Sequence, residues 1–356
     1  AQMIKDEIQE RYNDFNTLNV VVIGKTGVGK STLINTVFGD SVAEVGIGTP
    51  VTQAIRKLEK EGVPLAIYDT PGLELQGNHS TENLLEEVSE LINEGIRHND
   101  VNQAIHCIWY CINTTSSRIE PTEMDFLRKL GENTKRCNVP VILVLTQAFS
   151  PKKTEEMVMV IRKANLPVRE VVPVLAQDYE ISEVFPKIPA FGIDKLVEVM
   201  NKLLPDTVRD TFVALQIVSI DLKRARARAV VTGAAGAAAL TGAAPIPFSD
   251  AAILVPTQVS MLAGITAVFG LPLGKSALTS IVTATIGTAG TTVLGKTVVA
   301  NLVKMIPGAG TIVGAVISGT TAATLTGALV GQDFWKSGRT MESLGIAGLD
   351  REQLKI

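Results

Sequence analysis

The sequence is short of aromatic residues, charge, cysteine and histidine. Of 356 residues, 4% are aromatic and 19% are charged, where an average soluble domain carries about 25% charge. That shortage, in a chain rich in Ala, Val, Ile, Leu and Gly, excludes a disordered chain, a coiled coil and a highly charged nucleic-acid binder. The three cysteines, Cys107, Cys111 and Cys137, have no paired spacing, which excludes a disulfide framework. Cys107 and Cys111 lie in an apolar run from Ala104 to Ile112 that reads as a buried strand with two core thiols. Three scattered histidines and no Cys/His cluster argue against a zinc site. The first residues show neither a basic n-region nor an apolar h-region, so no secretory signal is expected.

What the chain does have is an apolar surplus, and it is unevenly placed. Hydrophobic residues make up 46%, with a mean hydropathy of +0.26. Residues 1–205 hold 21 Lys+Arg and 28 Asp+Glu, while 206–356 hold 12 and 8. Between Ala229 and Gly331 the charged residues are Asp250, Lys275, Lys296 and Lys304 alone. The shift predicts a boundary near Pro205: an N-terminal helix within 1–17, a domain over 18–205 and an apolar helical region over 206–356.

The first domain opens on a strand pattern. Leu18–Ile23 is short and β-branched and ends in glycine. Directly after it stands Gly24-Lys25-Thr26-Gly27-Val28-Gly29-Lys30-Ser31, then Thr32–Phe38 with helical spacing. This is G-x-x-x-x-G-K-[ST] between a strand and a helix, the context that gives it meaning. The glycines let backbone N–H groups curl round phosphates, and the helix N-terminus adds a favourable dipole. Lys30 is placed to reach the β- and γ-phosphates, and the Ser31 hydroxyl to ligate Mg²⁺. A second strand, from Val63, delivers Asp69 in Asp69-Thr70-Pro71-Gly72, about where an open α/β sheet places its ligands. Asp69 is expected to hold Mg²⁺ through water, and the Gly72 N–H to meet the γ-phosphate. Between them, Thr49 and Thr52 are candidates for the threonine that closes over Mg²⁺, with Thr52 preferred and a plain Gly/Pro turn as the alternative.

These motifs, Gly24–Thr32, Val51-Thr52 and Asp69–Gly72, resemble the P-loop GTPases of the Era, septin, chloroplast-import and immunity-related kind over roughly 18–204. The resemblance implies an α/β fold with a mostly parallel sheet flanked by helices. It also implies Mg²⁺ with GTP or GDP as cofactors, Lys30 and Thr52 in catalysis, and Ser31, Thr52 and Asp69 around the metal. Two stretches depart from the pattern. Where the family has Asn/Thr-Lys-x-Asp, this chain has Thr146-Gln147-Ala148-Phe149, so the carboxylate that accepts from guanine N1 and N2 is missing. Gln147 replaces the lysine that packs on the base, while Ala176 retains the main-chain N–H that touches guanine O6. Leu73 stands where many regulatory members carry a water-orienting Gln, so hydrolysis is expected to be slow or to depend on a homodimer formed through this domain. His79 in the polar loop that follows is read as a solvated side chain or as part of a mobile switch. Thr81–Asn93 has a cap and an apolar stripe and reads as an amphipathic helix.

The second part opens on Lys223, Arg224, Arg226 and Arg228, then runs into charge-free windows at 229–249, 251–274, 276–295 and 305–332. Each is long enough to span hydrocarbon, which takes about 20 residues. The first two are diluted by Ala, Gly, Pro and polar residues, which makes insertion marginal at best. Two readings stand: membrane hairpins, or a compact helical domain able to open on a bilayer. The stretch Gly236–Asp250 with Leu254–Gln258 resembles a domain of undefined function found behind bacterial membrane-associated GTPases. The expected partners are a guanine nucleotide and a lipid surface through 223–331, with no nucleic acid; the expected location is cytoplasmic and reversibly or peripherally membrane-associated. The expected function is a GTP-hydrolysing switch coupled to that helical domain. Its alternatives are a nucleotide-gated module that docks a protein partner and a relaxed NTPase.

Overall fold

The computed structural model describes residues 10–11, 13–39, 49–51, 55–60, 62–70, 81–116, 118–180, 187–242, 260, 263–264 and 267–268. Thr52, Gly72, Leu73 and His79 lie outside the described residues, as do most of the N-terminal helix expected within 1–17 and nearly all of the apolar windows beyond 242. The chain divides into two compact units, one from Phe15 to Ser219 and one of Ala1–Asp14 with Ile220–Leu354.

The first unit is built on a sheet whose described strands run β2-β3-β4-β1-β5-β6-β7. They are β1 (Leu18–Gly24), β2 (Thr49–Pro50), β3 (Arg56–Glu59), β4 (Leu65–Asp69), β5 (Cys107–Asn113), β6 (Val141–Thr146) and β7 (Glu170–Pro173). β4, β1, β5, β6 and β7 are mutually parallel; β2 and β3 join antiparallel at one edge. Every residue of β1 and β6 is buried, and all of β5 but its last. A parallel strand covered on both faces needs this unbroken apolar run, which is why these segments read as strands without alternation.

Helices cover both faces. On one, α2 (Thr81–His98), α3 (Pro121–Arg136) and α4 (Pro151–Ala164) pack on Val21, Ile23, Ile108, Tyr110 and Leu143 through Val88, Leu127, Leu130 and Ile161. On the other, α1 (Lys30–Phe38), α5 (Ile193–Leu203) and α6 (Asp206–Leu215) surround Trp109, the neighbour of Tyr110 that points the opposite way. Phe38 stacks on Trp109 at 5.9 Å and meets Phe212 edge-on at 6.3 Å. The indole N–H of Trp109 donates to Met200 Sδ at 3.2 Å. Helix starts follow local rules: α3 and α4 carry proline in their first turn, and α2 has Glu82 at its start with Arg97 and His98 at its end.

The first compact unit runs on to Ser219. Helix α6 has Val208, Thr211, Phe212 and Val213 on a buried face, and the Ile217 N–H donates to the Val37 carbonyl at 2.9 Å. Composition shifts sharply only at Ala229, so it could not show that an amphipathic helix at 206–215 closes the first unit.

In the second unit α7 (Ile220–Gly242) carries the basic cluster. Arg226 and Arg228 are exposed and Arg224 pairs with Asp221 at 3.2 Å. Lys223 instead shares a buried side with Ala227 and Val231, and burial pulls its ammonium down to about 8. No helix among the described residues is long and apolar enough to cross a membrane.

Candidate nucleotide site

The carboxyl ends of β1, β4, β6 and β7 meet along one edge of the sheet, where such sheets bind ligands. β1 ends at Gly24, packed so tightly on β5 that a Cβ there would lie 2.7 Å from the Cys111 carbonyl oxygen. The chain then loops through Lys25–Gly29 into α1. Gly27 (φ 75°) and Gly29 (φ 96°) take left-handed backbone, and a Cβ on either would meet nothing within 4 Å. Their conformation, not crowding, calls for glycine, and it curls the main chain round open space. Among the described residues the N–H groups of Gly27, Gly29, Lys30 and Ser31 have no acceptor, and the first bond of the helix runs from the Leu33 N–H to Gly29 O at 3.0 Å. Convergent orphan donors at a helix N-terminus form an anion cradle.

Lys30 is held over this cradle. Its Nζ donates to Gly24 O at 3.0 Å and lies 4.0 Å from Asp69 Oδ1. Asp69 ends β4 and pairs in register with Arg56 of β3. Burial pushes the Asp69 carboxyl above the usual carboxylate range, against the pull of Lys30 and Arg56. Its Oδ1 is buried and has no hydrogen-bond donor. A buried carboxylate oxygen lacking a donor beside a free helix N-terminus suits a hydrated divalent cation. Asp69 and the exposed Ser31 hydroxyl are the described residues that would hold Mg²⁺.

The second lysine of the loop is tethered sideways. Lys25 Nζ lies 3.3 Å from Glu120 and 3.6 Å from Glu123, at the start of α3. Glu123 is 8% exposed, and its Oε1 accepts from the Tyr110 hydroxyl at 3.2 Å. Burial raises the Glu123 carboxyl, opposed by Lys25 and by the Tyr110 bond. Sequence reading placed Lys25 in the loop but not its carboxylate partners, which sit about 95 residues away with no motif to mark them.

The third part is the base end. Thr146 is buried at the end of β6, its hydroxyl donating to Ile112 O at 3.2 Å, and serves as a strut. Gln147 takes left-handed backbone (φ 52°) and sends Nε2 to Gly27 O at 3.2 Å, tying the β6 loop to the phosphate loop. The Thr114 hydroxyl fixes Gln147 O at 2.7 Å. Phe149, where the resemblance expects a carboxylate, stacks on Tyr179 with ring centres 4.3 Å apart and planes 5° from parallel. Tyr179 comes from the loop after β7, three residues beyond Ala176. Nothing in the sequence pointed to Tyr179.

Residues 19–147 match a family model described as 50S ribosome-binding GTPase. This segment is a P-loop GTPase domain. Among curated proteins the GTPase domain is similar to neuronal-specific septin-3 of Rattus norvegicus, at 28% identity over 169 residues, covering 41% of this chain and 46% of that protein. It is also similar to septin-9 of Homo sapiens, at 29% over 139 residues, covering 32% of this chain and 23% of that protein. The chain thus spans less than half the length of these relatives. Among solved structures it resembles Toc33 from Arabidopsis thaliana in complex with GDP and Mg²⁺, with 19% identity, TM-score 0.34, and coverage of 58% of this chain and 91% of that one.

Proposed function

We propose that the chain is a Mg²⁺-dependent switch that binds GTP, hydrolyses it, and passes its nucleotide state to the Gly/Ala-rich region that follows. One observation carries this reading: Lys30, held by Gly24 O, stands over a cradle of unbonded amides beside an Asp69 oxygen that lacks a donor. A phosphate chain with a bound cation would satisfy all three. The amides of Gly27–Ser31 and the Lys30 ammonium would bind phosphate oxygens and gather the negative charge that moves between them during transfer. Asp69 and Ser31 would hold Mg²⁺, which when bound neutralises the β- and γ-oxygens. Thr52 and Gly72 belong to this proposal as the groups that close over the γ-phosphate. With Leu73 in the water-orienting position, turnover is expected to rise with protein concentration as two copies complete each other's site.

The membrane side rests on composition: four charged residues between Ala229 and Gly331, preceded by exposed Arg226 and Arg228. Basic residues near an anionic surface contribute about 1 kcal/mol each. The region 223–331 is proposed to meet lipid reversibly in the cytoplasm.

Phosphate release from GTP, with and without anionic liposomes, tests the proposal. Wild type is expected to turn over, faster with liposomes. Lys30→Ala is expected to lose turnover and to bind nucleotide about 10- to 100-fold more weakly, the loss expected from one charged hydrogen bond. Equal turnover by Lys30→Ala would overturn the assignment. Nucleotide that binds but is never turned over would identify a gated binding module instead.

A further inference from the structure

We infer that Lys25, in a site taken as a nucleotide site on the reading above, is a positioning residue: Glu120, Glu123 and Tyr110 anchor its side chain so that the phosphate loop and Lys30 stand where phosphoryl transfer needs them. The loop Lys25–Gly29 gets little support from its own residues. Gly27 and Gly29 carry no side chain and take left-handed backbone. The main-chain bond that closes the loop, from the Val28 N–H to Lys25 O, is long at 3.4 Å. Lys25 O also accepts from Lys30 Nζ at 3.5 Å, beside the 3.0 Å bond from the same ammonium to Gly24 O. Where the Lys25 main chain sits therefore helps decide where the Lys30 ammonium sits.

The anchor is not what stability alone would select. Glu123 lies on the face of α3 that also buries Phe126, Leu127 and Leu130. An apolar side chain would continue that stripe, whereas a carboxylate there is stripped of water. Replacing such a buried ion pair by apolar residues of similar size is often neutral or stabilising. The groups are arranged instead to fix a position. Tyr110, fully buried on β5 beside Ile23 of β1, donates to Glu123 Oε1 at 3.2 Å, and its ring packs on Phe126 with centres 5.8 Å apart. That leaves Glu123 Oε2 to face Lys25 Nζ at 3.6 Å, with Glu120 Oε1 at 3.3 Å. The tie ends on a helix and a central strand, so the start of the loop is held by rigid elements rather than by its own backbone.

Phosphate release from GTP by the full chain with Mg²⁺, measured beside its urea midpoint, tests this. Combining Lys25→Met with Glu123→Leu replaces the ion pair by apolar side chains. The urea midpoint of this double variant is expected at or above that of wild type. Its kcat is expected to fall about tenfold or more, as for a misplaced catalytic group, with KM within about threefold. Lys25→Met alone, at a side chain 34% exposed, is expected to show the same loss of kcat. Lys25→Arg keeps the charged tie and is expected to hold kcat within about threefold of wild type. A double variant with kcat within about twofold of wild type, or with a loss confined to KM, would overturn the inference while leaving the phosphate site standing. So would a urea midpoint that falls along with kcat, or a loss in Lys25→Met that Lys25→Arg shares. Failure of wild type to turn over GTP would overturn both readings.

Discussion

Asp69 sits between two demands. Burial raises its pKa, while Lys30 at 4.0 Å and Arg56 across the strand pair pull it down. A bound cation would supply what the buried Oδ1 lacks. Asp69→Asn keeps the shape and removes the charge. It is expected to reduce the gain in GDP affinity on adding Mg²⁺ by about tenfold or more, measured as the ratio of Kd values with Mg²⁺ and with EDTA. An unchanged ratio would show that the cation does not depend on this carboxylate. Lys25, the other loop lysine, already has anionic partners in Glu120 and Glu123, so the two lysines of one motif have separate tasks. At this scale the sequence showed Gly24–Thr32 and Asp69 plainly, because their chemistry is local: strand, loop, helix cap. It did not show the Phe149–Tyr179 stack or the Lys25–Glu123 pair. Both join residues distant in the chain, and neither ring nor carboxylate carries a periodic mark.

Among the elements, β1, β4, β5 and β6 were legible as short apolar runs closed by turn or motif residues, and α2 by its cap and stripe. Ends moved by a residue or two: α1 begins at Lys30, not Thr32, and β4 at Leu65, not Val63. Helix α6 lies within the first compact unit. Its Phe212 is fully buried against Phe38, which in turn covers Trp109. Removing the helix would open this aromatic column to water. A fragment of residues 15–219 is expected to unfold cooperatively in urea, and one ending at 205 to lose that cooperativity or aggregate. Within the full chain Phe212→Ala is expected to cost about 3–5 kcal/mol, the range for emptying a buried phenylalanine site. A 15–205 fragment as stable as the longer one would place the boundary at Pro205.

For the molecule as a whole, one source of acid sensitivity is a group far from the site. His106 is buried at the entry to β5, its Nδ1 accepting the Asn19 N–H at 3.0 Å, and burial lowers its pKa to about 4 from the ordinary 6.5. The native state therefore refuses a proton that the unfolded chain takes up. The stability that His106 contributes is intact above pH 6.5, is lost as the pH drops, and its loss levels near pH 4, where the native state binds the proton as well. Denaturation at pH 7 and 4.5 is expected to show about 2 kcal/mol more acid loss in wild type than in His106→Gln, from 1.36 kcal/mol per pKa unit. Equal losses would place the acid sensitivity elsewhere. The charge contrast between 1–205 and 206–356 means that mean hydropathy describes neither part: an average over two regions conceals both.

The thiols of β5 turn the fold into its own clock. Cys107 and Cys111 are fully buried, and burial pushes both thiols up, Cys111 to about 12. Neither is reactive while the sheet is closed, whereas Cys137 is partly exposed. Alkylation would thus tag Cys137 promptly and the β5 pair only in molecules that have opened. Because the Cys111 carbonyl lies against Gly24, where the phosphate loop begins, slower tagging of Cys111 with nucleotide present would report in minutes how firmly an occupied loop fastens the centre of the sheet.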